Sequence, residues 1–174
     1  MTSVTNKLED TIWCNDRSFG DNNNNGWIAN GGDLSTYLYY GARERSNSAQ
    51  NTSTVKNQPS LACANKNDAF TWKNSAGNGA LDYPVGLLTE DEMVLAGGLA
   101  RTASTFYLNN GSHYWSLSPH SFDNGYAHEY LSNYGNLDFN IVPASSGLRP
   151  SVSLKHGTPV ISGDGTVADP YVIE

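Results

Sequence analysis

The sequence predicts an α+β fold in which two helices precede a block of short antiparallel strands. Two helix-start signals lie in the first hundred residues: Asp33 ahead of an apolar-periodic stretch, and Thr89 with Glu92 three residues later. Beyond residue 104, short β-rich segments follow one another at close spacing. We therefore expect two helices packed on one side of small antiparallel sheets, with long loops between the elements.

The N-terminal part predicts one extended segment and one loop. Residues 8–19 have the pattern of an entry strand, with Ile12 and Trp13 directed inward. The run from Asp21 to Gly26 matches the first half of a calcium-binding loop, but the twelfth position is Gly32, where a bidentate glutamate is needed. We therefore expect no metal site and no other cofactor.

The first predicted helix follows Asp33, which is a good N-cap residue. It extends through residues 34–45, and four positions share one helical face: Leu34, Tyr37, Leu38 and Gly41. Residues 46–60 are polar and predict a loop, and a strand is expected around 69–72.

The second predicted helix extends from about Glu90 to Leu99. Thr89 and Glu92 have the spacing of a capping box, and Glu90 and Asp91 lie where the helix dipole favours anions. The β-rich segments that follow are 105–108, 113–117, 126–131, 137–142, 148–154, 158–161 and 171–173.

The stretch from Trp115 to Pro150 differs in composition from the remainder of the chain. It has no Lys, Gln or Met, and is rich in Ser, Tyr, Asn, His, Asp and Gly. This is close to the composition of a paratope, in which Tyr supplies contact area and Ser, Asn and Gly supply adaptable hydrogen bonds. Apolar residues at intervals predict a supporting layer; they are Trp115, Leu117, Pro119, Ala127, Leu131, Leu137, Val142 and Leu148.

Two motifs carry a family resemblance. The sequence GLLTEDEMVLAGG at 86–98 resembles a characteristic helix of formylglycine-generating-enzyme-like proteins, and SGLRPSVSL at 146–154 resembles their terminal strand. These proteins form a branch of the C-type lectin fold, so the resemblance, which covers roughly residues 80–154, implies that fold. The length of the chain predicts a single domain over residues 1–174. The resemblance also implies that Arg149 is a buried structural residue of the scaffold.

Within that branch, the frame W-S-x-S-P at 115–119 with S-x-G-L-R-P at 145–150 resembles the variable region of diversity-generating retroelement proteins. In that family, adenine-directed mutagenesis of AAY codons never produces Lys, Gln, Glu, Met or Trp. Between Ser116 and Arg149, Glu129 is the one residue outside the accessible set. The resemblance implies a variable ligand-binding region at 116–148, with an invariant surface domain on the same frame as the alternative.

The predicted ligand-binding residues are polar and aromatic positions that we expect to converge on one solvent-exposed face. They are His120, Ser121, Asp123, Asn124, Tyr126, His128, Tyr130, Tyr134, Asn136, Asp138, Phe139, Asn140, Ile141, Pro143, Ala144 and Ser145.

The catalytic patterns of the resembling enzymes have no counterpart in the sequence. Formylglycine-generating enzymes use a late cysteine pair, whereas no cysteine follows Cys63. The iron-dependent branch needs a His-x-x-x-His-x-Glu type of cluster, and the histidines at 113, 120, 128 and 156 do not provide it. We therefore expect a protein that is not an enzyme.

Composition restricts partner and compartment. The net charge of −7 argues against a nucleic-acid partner, and no apolar run is long enough to span a bilayer. The N-terminus also lacks a signal-peptide pattern.

Charged residues are 16% of the chain, fewer than is usual for cytosolic proteins, which favours a cell-surface, secreted or virion-associated protein. Cys14 and Cys63 form either one disulfide or a pair of buried thiols.

The function predicted from these observations is recognition of a protein or cell-surface ligand, without catalysis, by a diversifiable surface on a C-type lectin-like scaffold. The alternative is an invariant adhesive module of a larger bacterial surface or pilus-like protein.

Overall fold

The computed structural model describes residues 4–19, 38–46, 57–100, 102–123, 126–133, 135–166 and 168–173. For residues 4, 38, 39, 122, 123 and 126–133, it describes the backbone without the side chains. Over these residues the fold is α+β, with two short helices and small antiparallel sheets, as predicted. The calcium-like sequence at 21–32 lies outside the described residues.

A four-stranded antiparallel sheet dominates the described part of the chain. Its spatial order is β3 (Leu38–Tyr39), β6 (Tyr114–Asp123), β7 (Tyr126–Asn133) and β8 (Asn136–Ile141). Strand β6 is bulged between Trp115 and Ser121, whereas β7 and β8 pair without a register shift. The β6–β8 segment therefore forms a meander, in which β8 is the outermost of the described strands.

The described chain also has four two-stranded antiparallel pairs, of which the first three named below join distant parts of the chain. The pairs are β1 (Leu8–Glu9) with β10 (Ser153–Leu154), β2 (Trp13–Cys14) with β4 (Ala69–Phe70), β5 (Gly86–Leu87) with β9 (Pro150–Ser151), and β11 (Val160–Ser162) with β12 (Val172–Ile173). The predicted entry strand over 8–19 is thus two short strands. Trp13 is buried as predicted, but Ile12 is exposed.

The first helix is shorter and later than the sequence predicts. Helix α1 is Gly41–Ser46, and Leu38–Tyr39 forms strand β3 instead of helix. The register pairs Leu38 with Phe122 and Tyr39 with Ser121. Pairing with the edge of β6 satisfies this backbone, so a distant partner outweighs the local helical periodicity. Asp33, Leu34 and Tyr37 lie outside the described residues.

The second helix begins as predicted and ends early. In α2 (Glu90–Leu95), Thr89 and Glu92 form the capping box: the Thr89 hydroxyl accepts from the Glu92 N–H, and the Glu92 carboxylate accepts from the Thr89 N–H. Gly97, with φ of 100°, ends the helix. Its N–H donates to the Val94 carbonyl and that of Gly98 to the Met93 carbonyl, which is a Schellman motif. Residues 96–99 are therefore not helical.

The hydrophobic core lies between α2 and the sheet. Met93 and Val94 of α2 pack with Phe106, Tyr114 and Leu137. The predicted strand at 105–108 is wrong, because this segment forms a turn in which Asn109 N–H donates to the Phe106 carbonyl. Both helices contact β6 and each other, so they lie on one side of the main sheet, as expected.

Candidate ligand-binding surface

Strand β8 and the turn after it carry most of the predicted binding residues whose side chains are described. Leu137, near the start of β8, is 0% exposed and belongs to the core. Further along the strand, Phe139 is 37% exposed and Ile141 is also exposed. Val142 and Pro143 follow in an exposed turn, which is closed by the Ala144 N–H donating to the Ile141 carbonyl at 2.9 Å. One end of the strand is therefore anchored, while the other end presents apolar and aromatic groups to solvent.

The predicted residues of β8 do not all share one face. Adjacent side chains of a strand point to opposite sides of its sheet, so Asp138 and Asn140 lie opposite Phe139 and Ile141. Asn136, Asp138 and Asn140 are half-buried. The prediction that all these positions converge on one exposed face is therefore wrong for this strand. Of the turn residues, Pro143 and Ser145 are exposed and Ala144 is half-buried.

The predicted exposure is also wrong for His120 and Ser121, which are 2% and 1% exposed. They lie on β6, an inner strand of the sheet, with β3 on one side and β7 on the other. His120 Nδ1 lies 2.7 Å from Ser121 Oγ, and the His120 ring stacks on Phe139 at a centroid distance of 4.3 Å. His120 therefore supports an exposed aromatic residue from below and does not itself reach the surface.

The remaining predicted binding residues are described either by their backbone alone or not at all. Asn124 and Tyr134 are not described, and the side chains of Asp123, Tyr126, His128 and Tyr130 are not described either. The backbone register pairs His128 with Ile141 and Tyr130 with Phe139. These positions therefore neighbour the two exposed residues of β8 along the sheet.

The predicted supporting layer is only partly present. Leu137 is buried as predicted, and Trp115 and Leu117 are half-buried. Val142 and Leu148 were expected beneath the surface, but both are exposed, Leu148 by 71%. They lie in the irregular chain after β8, where strand alternation no longer applies. Ala127 and Leu131 have no described side chain.

Arg149 joins the end of this region to the core. One of its guanidinium NH groups donates to the Leu108 carbonyl, which also accepts from the Tyr114 hydroxyl at 3.0 Å. The guanidinium carbon lies 5.1 Å from the centre of the Tyr114 ring, a distance suited to a cation–π contact. Arg149 is half-buried, whereas the resemblance implied full burial, but its contacts are those of a scaffold residue.

A buried polar row on β6 was not foreseen from the sequence. Tyr114, Ser116, Ser118 and His120 alternate along the strand, and all four are buried. The Ser118 hydroxyl accepts from the Glu90 N–H at 2.9 Å, which fixes the first turn of α2 against the sheet. Small hydroxyl residues at every second position of a strand that faces a helix start would have been the available signal.

A cavity of about 310 Å³ lies away from this surface, beside the Cys14–Cys63 disulfide. Arg45 lines it and donates two bonds to the Asp91 carboxylate, at 2.8 and 2.6 Å, and one to Asp16 at 2.7 Å. These carboxylates raise the pKa of Arg45 against the effect of burial. Burial alone would raise the pKa of Asp16, but bonds from Ser18 and Arg45 lower it overall, so both groups stay charged. Asp16, Arg45 and Asp91 therefore form a charged part of the cavity lining, in which each carboxylate is paired with the guanidinium.

Neither a metal cluster nor a membrane span is found in the described part of the chain. Its residues include no group of three or more His, Cys, Asp or Glu side chains placed to hold a metal ion. None of its helices is long and apolar enough to cross a membrane.

Comparison with known proteins adds no relative. The chain matches no protein-family model, no curated protein and no solved structure at significance. The resemblance to the C-type lectin branch therefore stays a prediction from the motifs.

Proposed function

We propose that this chain is a ligand-recognition domain without catalytic activity, which displays a diversifiable surface on a C-type lectin-like scaffold. The observation that carries the proposal is the difference in side-chain exposure between the start and the end of β8. Leu137 is held in the core, whereas Phe139 and Ile141, two and four residues later, are exposed. Substitutions at exposed positions cost little folding free energy, so such a strand tolerates variety that a buried strand does not.

The composition of the region supports the same proposal. With the exception of Glu129, every residue from Ser116 to Arg149 belongs to the set that adenine-directed mutagenesis of AAY codons can produce. Ser and Asn are its commonest polar residues and Tyr is its commonest aromatic residue. These residues give adaptable hydrogen bonds and contact area. On this proposal, the partner is a protein or another cell-surface molecule, and the exposed aromatic groups act as its anchors.

The framework around the region supports a rigid scaffold. Strand β8 is fixed at Leu137, and Arg149 binds the Leu108 carbonyl on the far side of the segment. The capping box and Schellman motif of α2 fall within the stretch at 86–98 that resembles the family helix. His120 and Ser121 belong to this support in the proposal, because they are buried.

The disulfide supports the proposed compartment. Cys14 and Cys63 are bonded with an S–S distance of 2.07 Å. Such bonds persist mainly in oxidising environments, which include cell surfaces, secreted fluids and virions. We propose that the domain acts in one of these places.

A pair of displayed libraries tests the proposal. One library replaces the codons of the exposed positions 139, 141, 143 and 145 with NNY codons; the matched library does the same at the buried positions 116, 118, 120 and 121. We expect most members of the first to resist protease and to yield binders against a panel of immobilised proteins. Most members of the second should unfold. Equal unfolding in both libraries, or a folded first library without binders, would contradict the proposal.

A further inference from the structure

The outer edge of β8 is the backbone side that faces away from β7. Strand β8 is the last strand in the order β3-β6-β7-β8, so among the described strands no other pairs with this edge over Phe139–Ile141. An edge strand of this kind offers its N–H and carbonyl groups to any other extended chain. The apolar residues Phe139, Ile141 and Val142 are exposed beside it.

The outward amides of this strand nonetheless have hydrogen-bond acceptors within the same chain. In a regular strand, residues two apart direct their N–H groups to the same side. The Leu137 N–H donates outward to the Leu99 carbonyl at 2.9 Å, which places the amides of Phe139 and Ile141 on the outer edge as well. Phe139 N–H donates to Asp138 Oδ1 at 3.0 Å, and Ile141 N–H donates to Asn140 Oδ1 at 2.9 Å.

Asp138 and Asn140 therefore occupy the donors that a neighbouring strand would need. Each side chain accepts a hydrogen bond from the amide of the residue that follows it. These two local contacts cover the outer amides of β8 that follow Leu137, whose own amide is bonded to Leu99. Asp138 also places a carboxylate at an edge of a chain whose net charge is −7, and this charge opposes the approach of an identical molecule.

We propose that Asp138 and Asn140 act as guards that keep the β8 edge from pairing with a second copy of this chain. The occupant that they exclude is a second β8, because the exposed Phe139 and Ile141 side chains of two copies would pack together once the backbones paired. Backbone pairing at this edge does not depend on which ligand the domain binds.

The test compares two double variants of the full chain. Asp138→Val with Asn140→Val removes both acceptors, while Asp138→Asn with Asn140→Asp exchanges the two residues, so it retains both acceptors and the total charge. Sedimentation velocity over a range of concentrations reports association. Amide exchange measured by NMR reports the hydrogen bonds of the Phe139 and Ile141 amides.

We expect the parent and the exchanged variant to stay monomeric, and the valine variant to associate as concentration rises. In dilute solution, the Phe139 and Ile141 amides of the valine variant should exchange about tenfold faster than in the parent. On association, the same two amides should become protected.

Three results would overturn the proposal. They are a folded valine variant that stays monomeric with unchanged exchange at both amides, association of the exchanged variant as strong as that of the valine variant, and a parent protein already associated through protected Phe139 and Ile141 amides. Should the double valine variant fail to fold, Asn140→Val and Asn140→Asp give the same comparison at the Ile141 amide alone.

Discussion

The ring of His120 stacks on that of Phe139, with centroids 4.3 Å apart and planes inclined by 16°. His120 is 2% exposed and Phe139 is 37% exposed, so one residue forms the support and the other the surface. Both were predicted to bind ligand from the sequence. The structure assigns them different roles, and this difference can be measured.

Replacing the supporting ring should destabilise the domain. We expect His120→Ala to lower the free energy of unfolding by about 1 to 3 kcal/mol, because it removes a buried ring and the polar partner of Ser121 Oγ. Urea unfolding followed by circular dichroism measures the change. Ser145→Ala at an exposed position is the control, with an expected change within about 0.5 kcal/mol. Equal effects in the two variants would mean that His120 has no supporting role.

The two ends of the β8 region should differ in the same way. Leu137→Ala should lower the free energy of unfolding by about 2 to 5 kcal/mol, because the side chain is 0% exposed within the core. Val142→Ala removes an exposed side chain five residues later and should cost less than about 1 kcal/mol. A loss at Val142 as large as that at Leu137 would show that Val142 is covered in solution, as the sequence alone had suggested.

Much of the fold can be predicted where its cause is local. The start of α2 depends on Thr89 and Glu92, three residues apart, and the structure confirms it. The end of α2 depends on the Gly97–Gly98 pair, which is also a local signal. Helical periodicity alone ignores this pair and predicts a helix that extends to Leu99. The α+β class follows from the order of these short-range signals.

The parts that were predicted wrongly depend on distant partners. Leu38–Tyr39 becomes a strand because β6, some eighty residues later, pairs with it. Composition identifies a surface-like set of residues, but it does not say which strand lies inside the sheet. His120 and Ser121 are therefore buried despite their polar side chains. The sequence does not decide between a disulfide and two free thiols for the same reason, since only the fold brings Cys14 and Cys63 together.

Removing the disulfide should lower the free energy of unfolding by about the amount that its loop length implies. Cys14 and Cys63 are 49 residues apart, and the chain-entropy relation gives about 4 kcal/mol for a loop of this size. We expect Cys14→Ser, Cys63→Ser and the double variant to be destabilised by similar amounts, because any of them removes the same bond. Thermal unfolding without reductant measures this. A stable single variant, or a parent protein whose unfolding midpoint is unchanged by reductant, would contradict the bond's stabilising role.

Acid should destabilise the domain through Asp10 and Asp16. Burial alone would raise the pKa of Asp10, but bonds from the backbone N–H groups of Trp72, Lys73 and Asn74 lower it overall. A carboxyl whose pKa is lower in the folded than in the unfolded state stabilises the fold above its unfolded pKa. That contribution is lost as the pH falls through the folded pKa, so the free energy of unfolding should decline below about pH 4.

The variant Asp10→Asn separates this effect from general acid unfolding. We expect a loss of less than about 1 kcal/mol at neutral pH, because Asp10 lies close to solvent, which screens its interactions. The decline in acid should be shallower, because the titrating group is gone. The exposed, neutral change Ser75→Ala should retain the parent's pH profile. An Asp10→Asn profile as steep as that of the parent would assign the acid sensitivity to other groups.

Sequencing the DNA around the coding region tests whether this surface is diversified. We expect a near-repeat of the segment that encodes residues 116–149, beside a gene for a reverse transcriptase, with the two copies differing at adenines of the repeat. Codons of exposed positions such as Phe139 and Ile141 should differ more often than that of Leu137, which is buried. A coding region with no such repeat, or a repeat whose differences fall at all four bases alike, would contradict diversification and favour an invariant adhesive module.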